Sequence, residues 1–409
     1  MLNSGESIAG CPAVAFPDNS NLGPLPPLSS DLSTINIASA AGLRTLEYGT
    51  NFQRRSANLI GQNPLIVASN DDKQRSGAAA GDDDDIGSKL GVLISAFGAF
   101  GNEKSDNLGT DIDWDTTATA LSVDYALSPS LFVGAMIGTS SVSGCSSPQD
   151  NFTTSGSVNV VSNDVEGSFD VLSLYGIRES DTFYLDSIVS FGSGDFDFRR
   201  AQTVNGLLNE DNFIILDRVD EVIVADTSSD LFRASFAAGI KRQYRQIELS
   251  PYSRLSYALV SIDGYREQLD LGSSPGHPAP GSGGGFALRL SDQDVESLTT
   301  GLGFGSTYVL STSAAVISLN GDFEWVHEFK DTSNSLRSSL AGFSQGTISN
   351  AAVAQRFPER RLDSDYFYLG VGANAVLQNG WQLFANIQSL LGYQNVSETH
   401  LGAGVRYEF

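Results

Sequence analysis

The chain has 409 residues, with 48 acidic side chains against 24 basic ones and a formal net charge of −24. That balance excludes a nucleic-acid partner, because a phosphate backbone needs a basic face. No apolar run reaches the ~18 residues of a membrane-spanning helix, which leaves a transmembrane barrel open, since a barrel hides its apolar band in every second residue.

The start, Met1-Leu2-Asn3-Ser4-Gly5-Glu6, has no basic region followed by an apolar one, so it is not a secretory signal. An exported protein would make this chain a fragment or its start misplaced. Residues 1–30 are rich in Pro, Gly, Ser and Asn and read as an extended lead-in. Residues 31–60 are the one convincing helix. Ser30 or Asp31 caps it, no proline interrupts it and Gly61 follows it. Its middle is slim (Ala38 to Gly42), its later half carries Arg44, Glu47, Arg54 and Arg55, and no clean apolar stripe runs along it. Residues 61–85 are a polar linker ending in Asp82-Asp83-Asp84-Asp85.

From residue 86 onward, segments with period-2 alternation succeed one another to the last residue. The final one sets Leu401, Ala403, Val405, Tyr407 and Phe409 against Gly402, Gly404, Arg406 and Glu408. Another sets Trp381, Leu383, Ala385, Ile387, Leu391 and Tyr393 against Gln382, Asn386 and Gln388. Twelve strands are predicted, over 88–101, 114–126, 130–142, 164–177, 182–198, 228–242, 246–262, 294–310, 314–329, 364–378, 380–394 and 397–409. Tight connections at 127–129, 178–181, 243–245, 311–313 and 378–379 alternate with long ones at 102–113, 143–163, 199–227, 263–293 and 330–363; the one near 395 is short. An even-stranded antiparallel series with tight turns at one end and long loops at the other is the pattern of an outer-membrane barrel, its long loops extracellular.

A soluble β-sandwich would show the same alternation with its apolar face inside. Strands longer than the usual ~5–6 residues, glycines gathered on the polar face and a chain ending on an aromatic residue within a strand favour the barrel. The apolar face then meets lipid. By parity Asp124, Asp186, Arg233, Arg254, Asp322, Glu324, Arg406 and Glu408 face the lumen. Twelve strands leave room for about one helix, ~10–12 Å across. Residues 32–60 as a helix would span ~43 Å, more than the ~30 Å hydrocarbon layer. The expected fold is thus an all-β transmembrane barrel of twelve antiparallel strands over 86–409, with the N-terminal α-helix threaded through its lumen. Arg44, Glu47, Arg54 and Arg55 would pair with the charges of the wall.

Three stretches also resemble a known family. They are Leu249-Ser250-Pro251-Tyr252-Ser253-Arg254-Leu255-Ser256-Tyr257 with Gly264-Tyr265-Arg266-Glu267; then Glu296-Ser297-Leu298, Gly301-Leu302-Gly303 and Glu324-Trp325-Val326-His327-Glu328-Phe329; and finally Tyr368-Leu369-Gly370-Val371-Gly372 with His400 through Phe409. Together they are similar to the autotransporter β-domain, the type V secretion translocator of Gram-negative bacteria. The resemblance implies an outer-membrane barrel, a monomer in lipid, that delivers or anchors its own N-terminal passenger at the cell surface. It also implies that the last strand, with Leu401, Val405, Tyr407 and Phe409, is the signal read by the barrel-assembly machinery. Residues 1–30 would be a passenger remnant. Some family members cut their passenger inside the lumen with an Asn of the helix; Asn51 and Asn58 occupy such a place here.

Enzyme signals are faint. Gly301-Leu302-Gly303-Phe304-Gly305 has no helix after it, so strand glycines account for it. His327-Glu328 lacks the second histidine of a zinc motif, and there is no GxSxG elbow. Cys11 and Cys145 have no metal-type spacing. The expectation is no enzyme, no cofactor and no metal. Two other functions fit the same pattern. One is a porin-like channel; the other is a surface-binding barrel whose long outer loops contact host ligands.

Overall fold

The computed structural model describes residues 90–104, 111–128, 130–146, 157–205, 219–270, 287–330, 337–340, 354–356, 363–377, 380–393 and 395–409. Among them are twelve long strands: β1 (Leu90–Glu103), β2 (Ile112–Ser128), β3 (Leu131–Ser146), β4 (Ser157–Glu179), β5 (Phe183–Asn205), β6 (Val219–Ile240), β7 (Ile247–Ile262), β8 (Gln293–Ser311), β9 (Ala315–Glu328), β10 (Asp365–Leu377), β11 (Trp381–Leu391) and β12 (Val396–Glu408). Each pairs antiparallel with its sequence neighbours, and β12 pairs with β1, so the sheet closes on itself. Closure satisfies every backbone polar group within the wall and removes sheet edges. The lead-in, the helix expected over 31–60 with Arg44, Glu47, Arg54 and Arg55, the candidates Asn51 and Asn58, and the linker 61–85 lie outside the described residues.

Burial alternates along each strand with the parity read from the sequence. On β1, Leu93, Ser95, Phe97 and Ala99 are buried while Ile94 and Phe100 stand out at 64% and 56% exposure. A closed wall with bare Ile, Leu and Phe on its convex side requires hydrocarbon there.

The level at which that requirement ends is written in the register. Thr119, Thr139, Asp170, Ser193, Asp230, Ser261 and Asp294 stand opposite one another on β2 to β8, all on the convex side. One row toward the tight turns, the same side carries Leu121, Ile137, Leu172, Phe191, Phe232 and Leu259. On the other side of this polar row the chemistry inverts. Outward positions become Glu166, Ser168, Asp195, Asp197, Asp226 and Ser228, all exposed, and the apolar residues Val165, Phe169, Phe196 and Ala225 turn inward and are buried. Toward the tight turns the wall is greasy outside; beyond the row it is greasy inside, as a water-soluble sheet is.

This inversion corrects the sequence expectation for the long connections. Residues 143–163 and 199–227 are not simple loops: β3 runs to Ser146, β4 begins at Ser157, β5 continues to Asn205 and β6 begins at Val219. With 23, 23 and 22 residues, β4, β5 and β6 far exceed the ~9–11 needed to cross a bilayer, and form a wall that protrudes at the long-loop end. The connection 263–293 is also partly structured. Residues Tyr265 to Leu269 run back along β6, where Leu269 pairs with Ile223. They also meet the short strand Leu288–Leu290 through the bridge Arg266–Arg289. Leu288–Leu290 pairs in turn with Arg337–Leu340, and that strand with Ala354–Arg356. Tyr265, Leu288 and Leu290 pack with Val142, Val165, Phe169, Phe196, Ala225 and Ile262 into one apolar core.

Two further departures concern the inside. The lumen wall is not uniformly polar: Leu93, Phe97, Ala118 and Phe384 form one inward apolar cluster, and Phe132, Met136, Tyr175, Ile177 and Ile188 another. Tyr393, expected on the lipid side, follows Gly392 in its left-handed conformation (φ 74°) and packs with Tyr366 against the inward cluster of Val326, Tyr368 and Leu390.

Candidate functional site: the lumen wall

The eight wall residues singled out by parity all lie on the inward face. Asp124, Asp186, Arg233, Arg254, Asp322, Glu324 and Arg406 are buried, and Glu408 is half-buried. Six of them take part in two sets of side-chain contacts, two belts along the wall. In the first, Gln382 Nε2 on β11 donates to Glu408 Oε1 (3.1 Å), and Glu408 Oε1 is 3.5 Å from Arg406 Nε. Arg406 grips Asp124 of β2 with both terminal nitrogens, Nη2 to Oδ1 at 2.7 Å. Tyr175 of β4 donates its hydroxyl to Asp124 Oδ2 at 3.3 Å. In the second belt, Arg254 and Tyr252 of β7 both donate to Glu324 Oε2 of β9, at 2.6 and 3.0 Å. Gln388 of β11 lies 3.5 Å from Asp322 Oδ2 of β9.

Apart from Gln382–Glu408 between the neighbours β11 and β12 and Glu408–Arg406 within β12, each of these ties skips a strand, and a glycine makes the skip possible. A β-carbon on Gly91 would collide with Arg406 Nη2, one on Gly134 with the Tyr175 ring and one on Gly301 with Glu324. The same holds for Gly303 beneath Tyr252 and Gly370 beneath Asp322. Gly134 stands directly between Asp124 and Tyr175, Gly303 between Tyr252 and Glu324, and Gly370 between Asp322 and Gln388. Backbone ladders hold adjacent strands only. These side chains hold next-nearest strands, across the bare backbone between them. The sequence gathers glycines on the polar face. At these five positions they are crossing points within the wall.

Asp186 and Arg233 lie buried and inward on β5 and β6. A third group, near the long-loop end, was not among the residues singled out from the sequence. Trp114 Nε1 donates to Glu398 Oε1 at 3.4 Å, and Glu398 Oε2 is 3.5 Å from His400 Nε2, all three buried. Their odd–even register with Arg406 was the available signal. Among the described residues no cluster of three or more His, Cys, Asp or Glu side chains is arranged to hold a metal ion. The terminal-strand residues Leu401, Val405 and Phe409 are exposed on the convex face. Tyr407 lies between Trp381 and Phe409, with ring centroids 4.9 and 4.8 Å away. Such an aromatic girdle suits the water–lipid interface.

Comparison with known proteins bears on this wall. The family model of the autotransporter beta-domain matches residues 92–388. Among solved structures, the translocator domain of autotransporter NalP from Neisseria meningitidis aligns with a TM-score of 0.52 at 13% identity, over 80% of this chain and 90% of that one. The beta domain of the Bordetella autotransporter BrkA aligns with a TM-score of 0.48 at 16% identity, over 78% and 100%. The transport unit of AIDA-I from Escherichia coli gives 0.45 at 10% identity, over 88% and 98%. No curated protein sequence matches. The NalP likeness supports the fold, and the family match covers most of the wall. The chain belongs to the autotransporter beta-domain family, the Gram-negative outer-membrane translocators of type V secretion.

Proposed function

We propose that this barrel carries its own N-terminal segment to the cell surface through the lumen, with residues 31–60 resting there as a helix. The observation that carries this reading is where the wall begins. The Phe409 amide donates to the Leu90 carbonyl at 3.1 Å, so the first strand starts, and the last ends, at the tight-turn end. With the long loops outside the cell, the chain enters β1 from the periplasmic side. An upstream segment displayed outside must then run through the closed sheet, because nothing polar crosses its lipid-facing side. Arg44, Glu47, Arg54 and Arg55 of the helix would meet the charged belts of the wall. Removing residues 1–60 should raise single-channel conductance several-fold; unchanged conductance would contradict the threaded helix.

In the same reading the outward face of the last strand, with Leu401, Val405, Tyr407 and Phe409, is what the barrel-assembly machinery engages, and the barrel works as a monomer. Its role is mechanical: the closed sheet shields a passing chain from lipid, and no bond is made or broken. Any cutting at Asn51 or Asn58 would release the passenger and would show as a shortened N-terminal fragment on mass spectrometry.

A further inference from the structure

The tight turn between β6 and β7 carries a cluster that the translocator reading does not use. It reads Lys241-Arg242-Gln243-Tyr244-Arg245, three bases in five residues of a chain whose net charge is −24. The side chains divide between the two faces of the wall. Lys241 continues the inward positions of β6 and is buried against Glu179 of β4. Arg242 and Tyr244 take the other face. In the short strand Arg242–Tyr244 they stand opposite Leu249 and Ile247 of β7, on the side where Leu255 is exposed to lipid. Tyr308 of β8 stands opposite Ile247 in turn, and its hydroxyl donates to Gln246 Oε1 at 3.0 Å. Tyr244, Ile247 and Tyr308 thus form one outward row, and Tyr244 is 63% exposed. Such a row belongs at the water–lipid interface.

The two arginines beside this row are uncommitted. Arg245 closes the turn with its guanidinium carbon 5.6 Å from the centre of the Tyr244 ring. Its φ of 57° is a left-handed conformation that Gly or Asn adopts more readily, so an arginine there weakens the turn. Arg242 and Arg245 are exposed, and no carboxylate partners either one among the described residues. Glu248, opposite Gln243, lies on the inward side with Lys241. The far rim of the same flank carries the opposite charge, since Glu166, Asp195, Asp197 and Asp226 are its exposed outward residues.

Two unpaired guanidiniums at the lipid side of an aromatic row match an anion held at headgroup depth. Guanidinium presents paired N–H donors to phosphate oxygens. Ile240 and Ile247, both exposed on the same face, offer an acyl chain apolar contact. We propose that Arg242, Tyr244 and Arg245 form a binding site for the headgroup of an anionic phospholipid in the periplasmic leaflet. The choice of leaflet rests on the orientation in the translocator reading; the binding does not.

Native mass spectrometry of the purified full chain, equilibrated with equimolar phosphatidylglycerol and phosphatidylcholine of the same acyl chains, counts which lipid stays bound. The parent should hold phosphatidylglycerol over phosphatidylcholine at least ~5-fold, as expected where each basic side chain near a membrane surface contributes about 1 kcal/mol. Arg242→Gln with Arg245→Gln should bring the two lipids to parity. Lys104→Gln with Arg266→Gln removes two exposed bases at the long-loop end and should leave the preference unchanged. Arg245→Gly separates binding from folding: it should raise the denaturant midpoint by relieving the turn, and still lower the preference. No preference in the parent, an unchanged preference without the two arginines, an equal fall in the Lys104 and Arg266 variant, or displacement of the lipid by inorganic phosphate would overturn the site. Sidedness plays no part in purified barrel, so that failure would leave the translocator reading standing.

Discussion

Arg406 holds Asp124 across the strand that lies between them, with Nη2 2.7 Å from Oδ1 and both side chains buried, directly over Gly91. The contact ties β12 to β2 over β1, where the chain's two ends close the barrel. Removing either partner leaves the other buried without its main counter-charge, at a cost of about 3–5 kcal/mol. Arg406→Ala should lower the denaturant midpoint of the folded, heat-modifiable band substantially, and Asp124→Ala should do the same. The double alanine variant should lose less than the sum of the two. Additive losses would mean that the two residues act independently.

The crossing glycines make a sharper contrast. Gly303 lies beneath the Tyr252 ring, whereas a β-carbon at Gly98 would meet nothing closer than 3.6 Å. Both are strand glycines. Gly98→Val should fold as the parent does, or better, because β-branched residues favour strands. Gly303→Val should displace Tyr252 from Glu324 and cost about 1–3 kcal/mol by overpacking. Denaturant unfolding of the two variants side by side checks it.

The inversion row predicts where a charge is tolerated. Leu174 stands outward at 55% exposure on the lipid side of Asp170, and Asp197 stands outward on the far side of Ser193. Leu174→Arg should cost about 2–4 kcal/mol on folding into lipid vesicles. Asp197→Arg should change it by no more than about 0.5 kcal/mol. Equal costs at the two positions would mean that the polar row is not the edge of the membrane.

Asp164 gives the protruding wall a pH dependence. It lies beyond the polar row, buried on β4, and burial pushes its carboxyl up to about 6. Glu166 adds to the rise, and Arg199, whose Nη1 is 3.9 Å away, opposes it. The folded state therefore holds this proton more tightly than the unfolded chain, whose carboxyl titrates near ~3.9. The stabilisation is complete below the unfolded value and is lost as pH rises through about 6. Amide exchange in β4 and β5, corrected for the intrinsic rate, should show more protection at pH 5 than at pH 7.5. Asp164→Asn should flatten that difference.

The strands nearest the C-terminus were the most legible in the sequence. From Ile317 to Trp325, with Gly321 the one gap, and from Leu401 to Phe409, the outward positions are apolar and the inward ones small or polar, because those strands cross lipid for most of their length. β5 was harder for a physical reason. Its apolar residues stand outward at Phe191 and inward at Phe196, so the alternation changes phase within one continuous strand. A period-2 reading takes that slip for the end of the strand. The charged side chains of the site were legible by parity, since Asp124, Glu324 and Arg406 fall opposite the greasy positions. Their pairing was not, because each tie crosses an intervening strand, joins partners 70 or 282 residues apart and depends on a glycine that lies beside them only in register. The structured part of the connection between β7 and β8 was hidden for a similar reason. Tyr265 and Leu288 form no periodic run of their own, and they find their apolar partners in a cluster drawn from β3 to β7.

Surface display of the N-terminal segment tests the central claim most directly. An epitope inserted within residues 1–30, in a chain exported by an added secretory leader into a Gram-negative host, is exposed to protease in intact cells. The translocator account predicts that the epitope is cut there while the β1–β12 wall stays folded. An epitope protected until the outer membrane is broken would contradict it.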